Sequence, residues 1–198
     1  MQEVATNFTL NTAPVFLPIT MQIAKKQLKM EGVEDDDDLI ELQLASATEL
    51  VEVETRRALM KQVWNLHINE WHAEIVVGGK NPVQSIQAVK YVDVEGEEQT
   101  LDADQYQFVN SGQSAKIYFN GDALPALEDD NYDRIKIELV CGYSTSASES
   151  VQQAAVPKPI KSAILLKLAS LYEGREDRKA ELQTRSSLML APYTVSFF

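Results

Sequence analysis

Cysteine is almost missing from this chain: Cys141 stands alone among 198 residues, so no intrachain disulfide is available. It lies in an apolar run that reads as strand, and is expected to be a small buried hydrophobe rather than a nucleophile. Basic residues are scarce too. Eighteen Lys and Arg against thirty Asp and Glu leave a net charge of −12, which excludes a tight grip on nucleic-acid phosphates and sequence reading of DNA. A conduit through which DNA slides is compatible with that charge, because an acidic wall repels the strand instead of holding it. Long hydrophobic runs are absent: the most apolar later segment, residues 163–172, is broken by Lys167 and is far shorter than the roughly 20 residues of a membrane-spanning helix. The opening MQEVATNFTL has no basic stretch followed by an apolar one, so no secretory signal is visible and synthesis in a reducing cytoplasm is expected. Glycine motifs are missing as well. There is no Gly-x-Ser-x-Gly elbow for a hydrolase, and Gly78-Gly79-Lys80 precedes Asn-Pro instead of a helix and lacks phosphate-loop spacing.

What is present is a 44% apolar composition, enough for a globular core, and a clear change of period along the chain. Pro14 and Pro18 mark an irregular lead-in. Thr20 then caps a short helix carrying Ile23, Ala24, Gln27 and Leu28, with Gly32 as its stop. The run EGVEDDDDLI follows, with consecutive acids at Glu34 to Asp38. Calcium loops need oxygen ligands at alternate positions and a closing Glu, so these acids are expected to cap the next helix at the positive end of its dipole. In that helix Ile40, Leu44, Ala47, Val51, Thr55 and Ala58 form one stripe, and Leu39, Leu42, Ser46, Leu50 and Val53 an adjacent one, predicting a wide buried face.

From residue 62 to 141 the pattern becomes short β-branched and aromatic runs, at 63–68, 74–77, 85–92, 106–109, 116–119 and 134–141, separated by turn residues such as Glu95-Gly96 and Asn120-Gly121. This predicts an antiparallel sheet, sandwich or small barrel. Residues 144–156 are small and polar and read as a flexible linker. Helical pattern resumes after Pro157 and Pro159, with Ile160, Ile164, Leu165, Leu168 and Leu171 on one face. The expected fold is α+β: a helical platform of two N-terminal helices and a C-terminal helix, with an inserted antiparallel β domain. Its parts are a helical hairpin at 17–61, the β domain at 62–143, the linker at 144–156, a C-terminal helix packing on the hairpin at 157–190, and an extended tail at 191–198. In that tail Pro192 stops a helix, and Pro192, Tyr193, Thr194, Val195, Ser196, Phe197 and Phe198 form an apolar segment that reads as a partner-binding site separable from the fold.

Glu70, His72 and Glu74 share one face of a continuous strand and are the best metal candidate, while His67 points the other way and no cysteine joins them. They define a competing reading, a small acidic metal-dependent enzyme; a monomeric binding module is a further one. Neither a catalytic site, a cofactor site nor a metal site is expected, and a binding or structural role leads.

Three segments in order resemble the head-tail connector (adaptor) proteins of tailed bacteriophages. Residues 35–47 followed by Glu54-Thr-Arg-Arg-Ala-Leu59 are similar to the acidic start and E-x-T-G-R-x-L-like close of that family's second helix. Asn81-Pro-Val-Gln-Ser-Ile-Gln-Ala-Val-Lys-Tyr-Val-Asp93 with Glu95-Gly96 is similar to its P-V-x-S-V-x-x-V-x-Y-x-D…G strand and turn. Leu171-Tyr-Glu-Gly-Arg-Glu176 looks like its C-terminal L-Y-E-x-R-E. The resemblance spans residues 17–193, with two departures: Arg56 stands where the family often has Gly, and Thr-Val-Ser-Phe-Phe follows Tyr193 where the family often ends Pro-Tyr-Arg. It implies a non-enzymatic virion protein of the neck, made in the host cytoplasm. Such a protein forms a homo-oligomeric ring, usually of twelve copies, between the portal protein and a stopper or tail-completion protein, with genomic DNA passing through the lumen and no membrane involved. A stopper or tail-completion protein of the same assembly is the nearest alternative.

Overall fold

Thr20 starts the first helix, α1 (Met21–Leu28), by accepting a hydrogen bond from the Ile23 amide at 3.4 Å, which satisfies one of the helix's orphan donors. The computed structural model describes residues 3–5, 7–110, 114–121, 124–128, 133–174 and 185–195. Helix α1 stops before the expected glycine: Lys29 takes the left-handed cap at φ 57°, and Gly32, at φ 81°, shapes the turn beyond it. Helix α2 (Asp37–Thr55) ends the same way, on Arg56 at φ 56°. One of its stripes, Ile40, Leu44, Ala47, Val51 and Thr55, is buried as the period requires. The adjacent stripe is not: Leu42 is 65% and Val53 67% exposed, so the helix has one covered face and one bare apolar face.

The acidic corner departs from simple capping. Asp36, at the N-cap, makes no capping bond with its side chain; it accepts the Tyr172 hydroxyl at 2.6 Å, and Asp37 pairs with Lys25 at 2.7 Å. Asp37 and Asp38 still occupy the first turn, where the dipole favours them. The acids therefore tie the start of α2 to α1 and to α4 (Lys158–Glu173). Helix α4 covers both N-terminal helices, and its Ile160, Ala163, Ile164 and Leu168 share one core with Ala24, Ile40, Leu44 and Val51. A second ion pair, Lys167 to Glu54 at 2.9 Å, joins α4 to α2. The C-terminal helix expected over 157–190 closes at Glu173; α5 (Arg185–Leu190) is a separate piece, and 175–184 lie outside the described residues.

The β block carries its own core. Strands β3 (Gln62–Ile68), β4 (Glu74–Val77), β5 (Val83–Val92), β6 (Glu98–Thr100), β7 (Tyr106–Asn110), β8 (Ala115–Phe119) and β9 (Ile135–Cys141) join two strands from the chain's start, β1 (Glu3–Ala5) and β2 (Phe8–Thr12). They form a five-stranded sheet, β2-β3-β9-β5-β6, and a four-stranded sheet, β1-β4-β8-β7. Leu66, Val89, Ile137 and Leu139 of the first sheet meet Ile75, Val77, Ala115 and Ile117 of the second, so the two pack as a sandwich around residues whose alternation is plain in the sequence. Among the described strand pairs all are antiparallel except β1 with β4.

Two expectations are corrected here. The lead-in before Pro14 is strand, not irregular chain: β2 is an edge strand with four of its five residues exposed, so it lacks the half-buried alternation that marks a strand. The β block is thus completed by chain that precedes the helices. Residues 144–156 are not a loose linker either, since they contain α3 (Glu149–Ala155). Polar bonds hold it in place of apolar burial: buried Gln152 accepts the Lys61 amide at 2.9 Å and donates to the Ser146 carbonyl at 2.8 Å, while Gln153 donates to the Leu17 carbonyl at 2.9 Å. Among the described residues no helix is long and apolar enough to cross a membrane.

Candidate functional site

The segment following α2 is where the helical platform, the β sandwich and the tail meet. Arg56 turns the chain back, and Ala58 donates to the Asn81 carbonyl at 3.0 Å, joining the platform to the turn before β5. Glu52 Oε1 accepts the Leu59 amide at 2.7 Å and the Gln62 amide side chain at 3.0 Å, bracing the path into β3. Burial raises the Glu52 pKa above the usual carboxylate value, against the pull of those two bonds. On the far side Gly142, at φ 122°, lies against Met60; a Cβ there would stand 2.5 Å from the Met60 carbonyl oxygen.

The tail docks on this junction. Arg57 is only 6% exposed, and its Nε donates to the Tyr193 carbonyl. The Tyr143 side chain also bonds to Arg57, and burial pushes the Tyr143 hydroxyl up while the nearby guanidinium pulls it down. The Val195 amide donates to the Thr55 carbonyl at 3.2 Å, satisfying a carbonyl left free at the end of α2, and the Val195 side chain is 8% exposed. Pro192 and Tyr193 lie in a single 3₁₀ turn, and Thr194 follows it with its amide on the Leu190 carbonyl at 3.1 Å. The expected extended tail is therefore folded onto its own chain through Val195, because a carbonyl at the helix end and a buried guanidinium offer it partners. Ser196, Phe197 and Phe198 lie outside the described residues. Arg57, Thr55 and Tyr143, which hold the tail, were missed in the sequence; an arginine just past a helix end was the available signal.

The metal candidates do not converge. Glu74 pairs with Lys116 at 2.6 Å across the β4–β8 ladder, while His72 faces Glu70 at 3.6 Å. Among the described residues no group of three or more His, Cys, Asp or Glu is placed to hold a metal ion. His67 is elsewhere: its Nδ1 is 2.6 Å from Asp133 and its Nε2 2.7 Å from the Thr9 hydroxyl, which fastens edge strand β2 to the approach to β9. Cys141 is fully buried, and burial pushes its thiol up to about 12, which removes the thiolate that nucleophilic chemistry needs.

Fold and site together define an α+β scaffold with two cores, an interlocked junction and a tail held at one point of it. No protein-family model matches the chain, and no curated protein does. Solved structures do. A chain in the neck of an empty gene transfer agent (GTA) particle, computed with C6 symmetry, superposes with a TM-score of 0.80 at 20% identity, covering 98% of this chain and 97% of that one. A chain in the virion of the native GTA particle gives the same values. A third, from the neck of the native particle computed with C12 symmetry, has a TM-score of 0.72 at 20% identity over 96% and 97%. The chain thus has, over nearly its whole length, the fold of chains found in these particles.

Proposed function

We propose that this protein is a head-tail adaptor: a structural component of the virion neck, made in the host cytoplasm, that forms a ring of twelve copies between the portal and a stopper or tail-completion protein. The observation that carries this reading is the two-way coverage of 98% and 97% at a TM-score of 0.80 with a chain from a particle neck, since a shared domain alone leaves part of one chain unmatched. The C6 and C12 symmetries of the neighbouring necks support a ring, and the C12 neck supports twelve copies. Net charge supports a lumen that passes DNA without holding it, at −12 per copy.

The tail is the portal-binding element in this reading, with Pro192 to Phe198 as its residues. Tyr193 and Val195 hold the tail on the body as far as Val195. Deleting 191–198 strips a buried valine and the bonds to Arg57, Thr55 and Leu190 from the fold as well as any partner contact. Deleting 196–198 separates the two effects. The expected result is a protein of unchanged melting temperature that leaves heads and tails unjoined, scored by electron microscopy of particles. Normal yields of tailed particles from the 196–198 deletion would remove the tail from the portal contact, and particle images lacking a ring of this protein at the neck would remove the function.

A further inference from the structure

The sequence places five residues at helical spacing beside the buried stripe of α2, and the fold leaves them uncovered. Leu39, Leu42, Leu50 and Val53 are all exposed, in line with Ser46. Four large apolar side chains along one face of a five-turn helix are more than scattered surface hydrophobes. At its far end Arg185 and Ser186 of α5 stand beside Leu50, and α5 itself exposes Leu188 and Met189. Exposed acids border it: Asp38, Glu41 and Glu49 follow one another along the same side of the helix.

A ring of identical copies needs two different surfaces on each copy, because a head-to-tail contact joins unlike patches. The second surface must be apolar at its centre and basic at its edge to match the first. Helix α1 provides that combination. It contains no acidic residue, its Ile23 is 49% exposed, and Lys26 one turn on and Lys29 at the cap are exposed beside it. We propose that the bare face of α2 seats the α1 face of the next copy of this chain, with Ile23 against the leucines and Lys26 and Lys29 against Glu41 and Glu49. This names the contact for the ring proposed above and rests on that reading.

Cysteine cross-linking in assembled particles tests it, since buried Cys141 leaves little background. Particles are built from equal amounts of an Ile23→Cys chain and a Leu42→Cys chain and treated with a short bis-maleimide. The expected product is a covalent dimer in the mixture and none from either chain alone. A second arm uses charge: Lys26→Glu lowers ring incorporation, and Glu49→Lys on the same chain restores it. Leu42→Asp, whose exposed site leaves folding and melting temperature unchanged, weakens incorporation about thirtyfold, as for a central interface residue. Rings present by image averaging but no dimer in the mixture overturn this contact and leave the adaptor reading standing. A Leu42→Cys chain that dimerises with itself, or that captures a different polypeptide, also overturns it. Absence of any ring removes the adaptor function and this contact with it.

Discussion

Replacing Arg57 with Ala is expected to loosen the tail before it unfolds the protein. The guanidinium is 6% exposed and donates to the Tyr193 carbonyl, and the Tyr143 side chain shares it. Hydrogen bonds from a charged donor contribute about 1.5–3 kcal/mol, and alanine leaves buried acceptors without a partner, so the loss should be about 2–3 kcal/mol. For a chain of 198 residues that lowers the melting temperature by about 4–12 °C. The local consequence is more specific. Two kcal/mol raises the population of the detached tail about thirtyfold, and cleavage after Tyr193 by chymotrypsin under native conditions should accelerate by a similar factor. Arg57→Lys keeps the charge but not the fixed geometry of Nε, and should fall between the two. Unchanged cleavage at Tyr193 in Arg57→Ala, with the global melt also unchanged, would show that the tail is not held through this side chain.

Three further substitutions probe the same junction, with Gly96, in the turn between β5 and β6, as a control outside it. Arg56→Gly relieves a left-handed cap at φ 56° but also removes the side chain's own interaction, so in urea titration it should gain less than the about 1 kcal/mol that the backbone alone would give. Gly142→Ala places a Cβ 2.5 Å from the Met60 carbonyl oxygen at φ 122° and should cost more than about 3 kcal/mol, whereas Gly96→Ala, with only Glu128 Oε1 at 3.6 Å, should cost about 1. Glu52→Gln tests the raised pKa. A carboxyl raised in the folded state gives stability that is whole below the unfolded value of 4.5 and is lost as pH climbs through the folded value. The variant should therefore gain on the wild type as pH rises from 4.5 toward neutrality, while parallel pH curves for the two would contradict the burial of that charge.

How much of this was legible follows from where burial writes a pattern. Strand β4 (Glu74–Val77) matches its expected span, and Ile160, Ile164 and Leu168 of helix α4 (Lys158–Glu173) are buried as expected, because in each element one apolar face meets a core and the period is uninterrupted. Strand β2 and helix α3 were illegible for the opposite reason: backbone pairing holds one and the amides of Gln152 and Gln153 the other, and hydrogen bonds leave no hydrophobic period behind. The αL ending on Arg56 is the interesting intermediate. The resemblance flagged the position because glycine is usual there, and φ 56° supplies the reason. At the candidate site the tail residues were singled out, but their anchors were not, since a contact between residues 57 and 193 is set by the packing of α2 on α5 and has no local signature.

The bare stripe on α2 and the charge of −12 make opposed demands on a ring, and their balance can be measured. Bringing like-charged copies together costs electrostatic free energy, which salt screens with a Debye length of about 10 Å at 0.1 M. The Lys26 and Lys29 pairs across the proposed contact pull the other way, but exposed pairs contribute only about 0–1 kcal/mol each and are screened too. An apolar contact between acidic copies should therefore strengthen with salt. Raising NaCl from about 0.05 M to about 0.5 M should increase the ring fraction in mass photometry, with the Debye length shrinking about threefold across that range. Sulfate should act more strongly than chloride at equal ionic strength, because it also strengthens apolar burial. A ring fraction that falls as salt rises would mean that ion pairs carry the contact, and the leucines of α2 would then face the lumen or another partner.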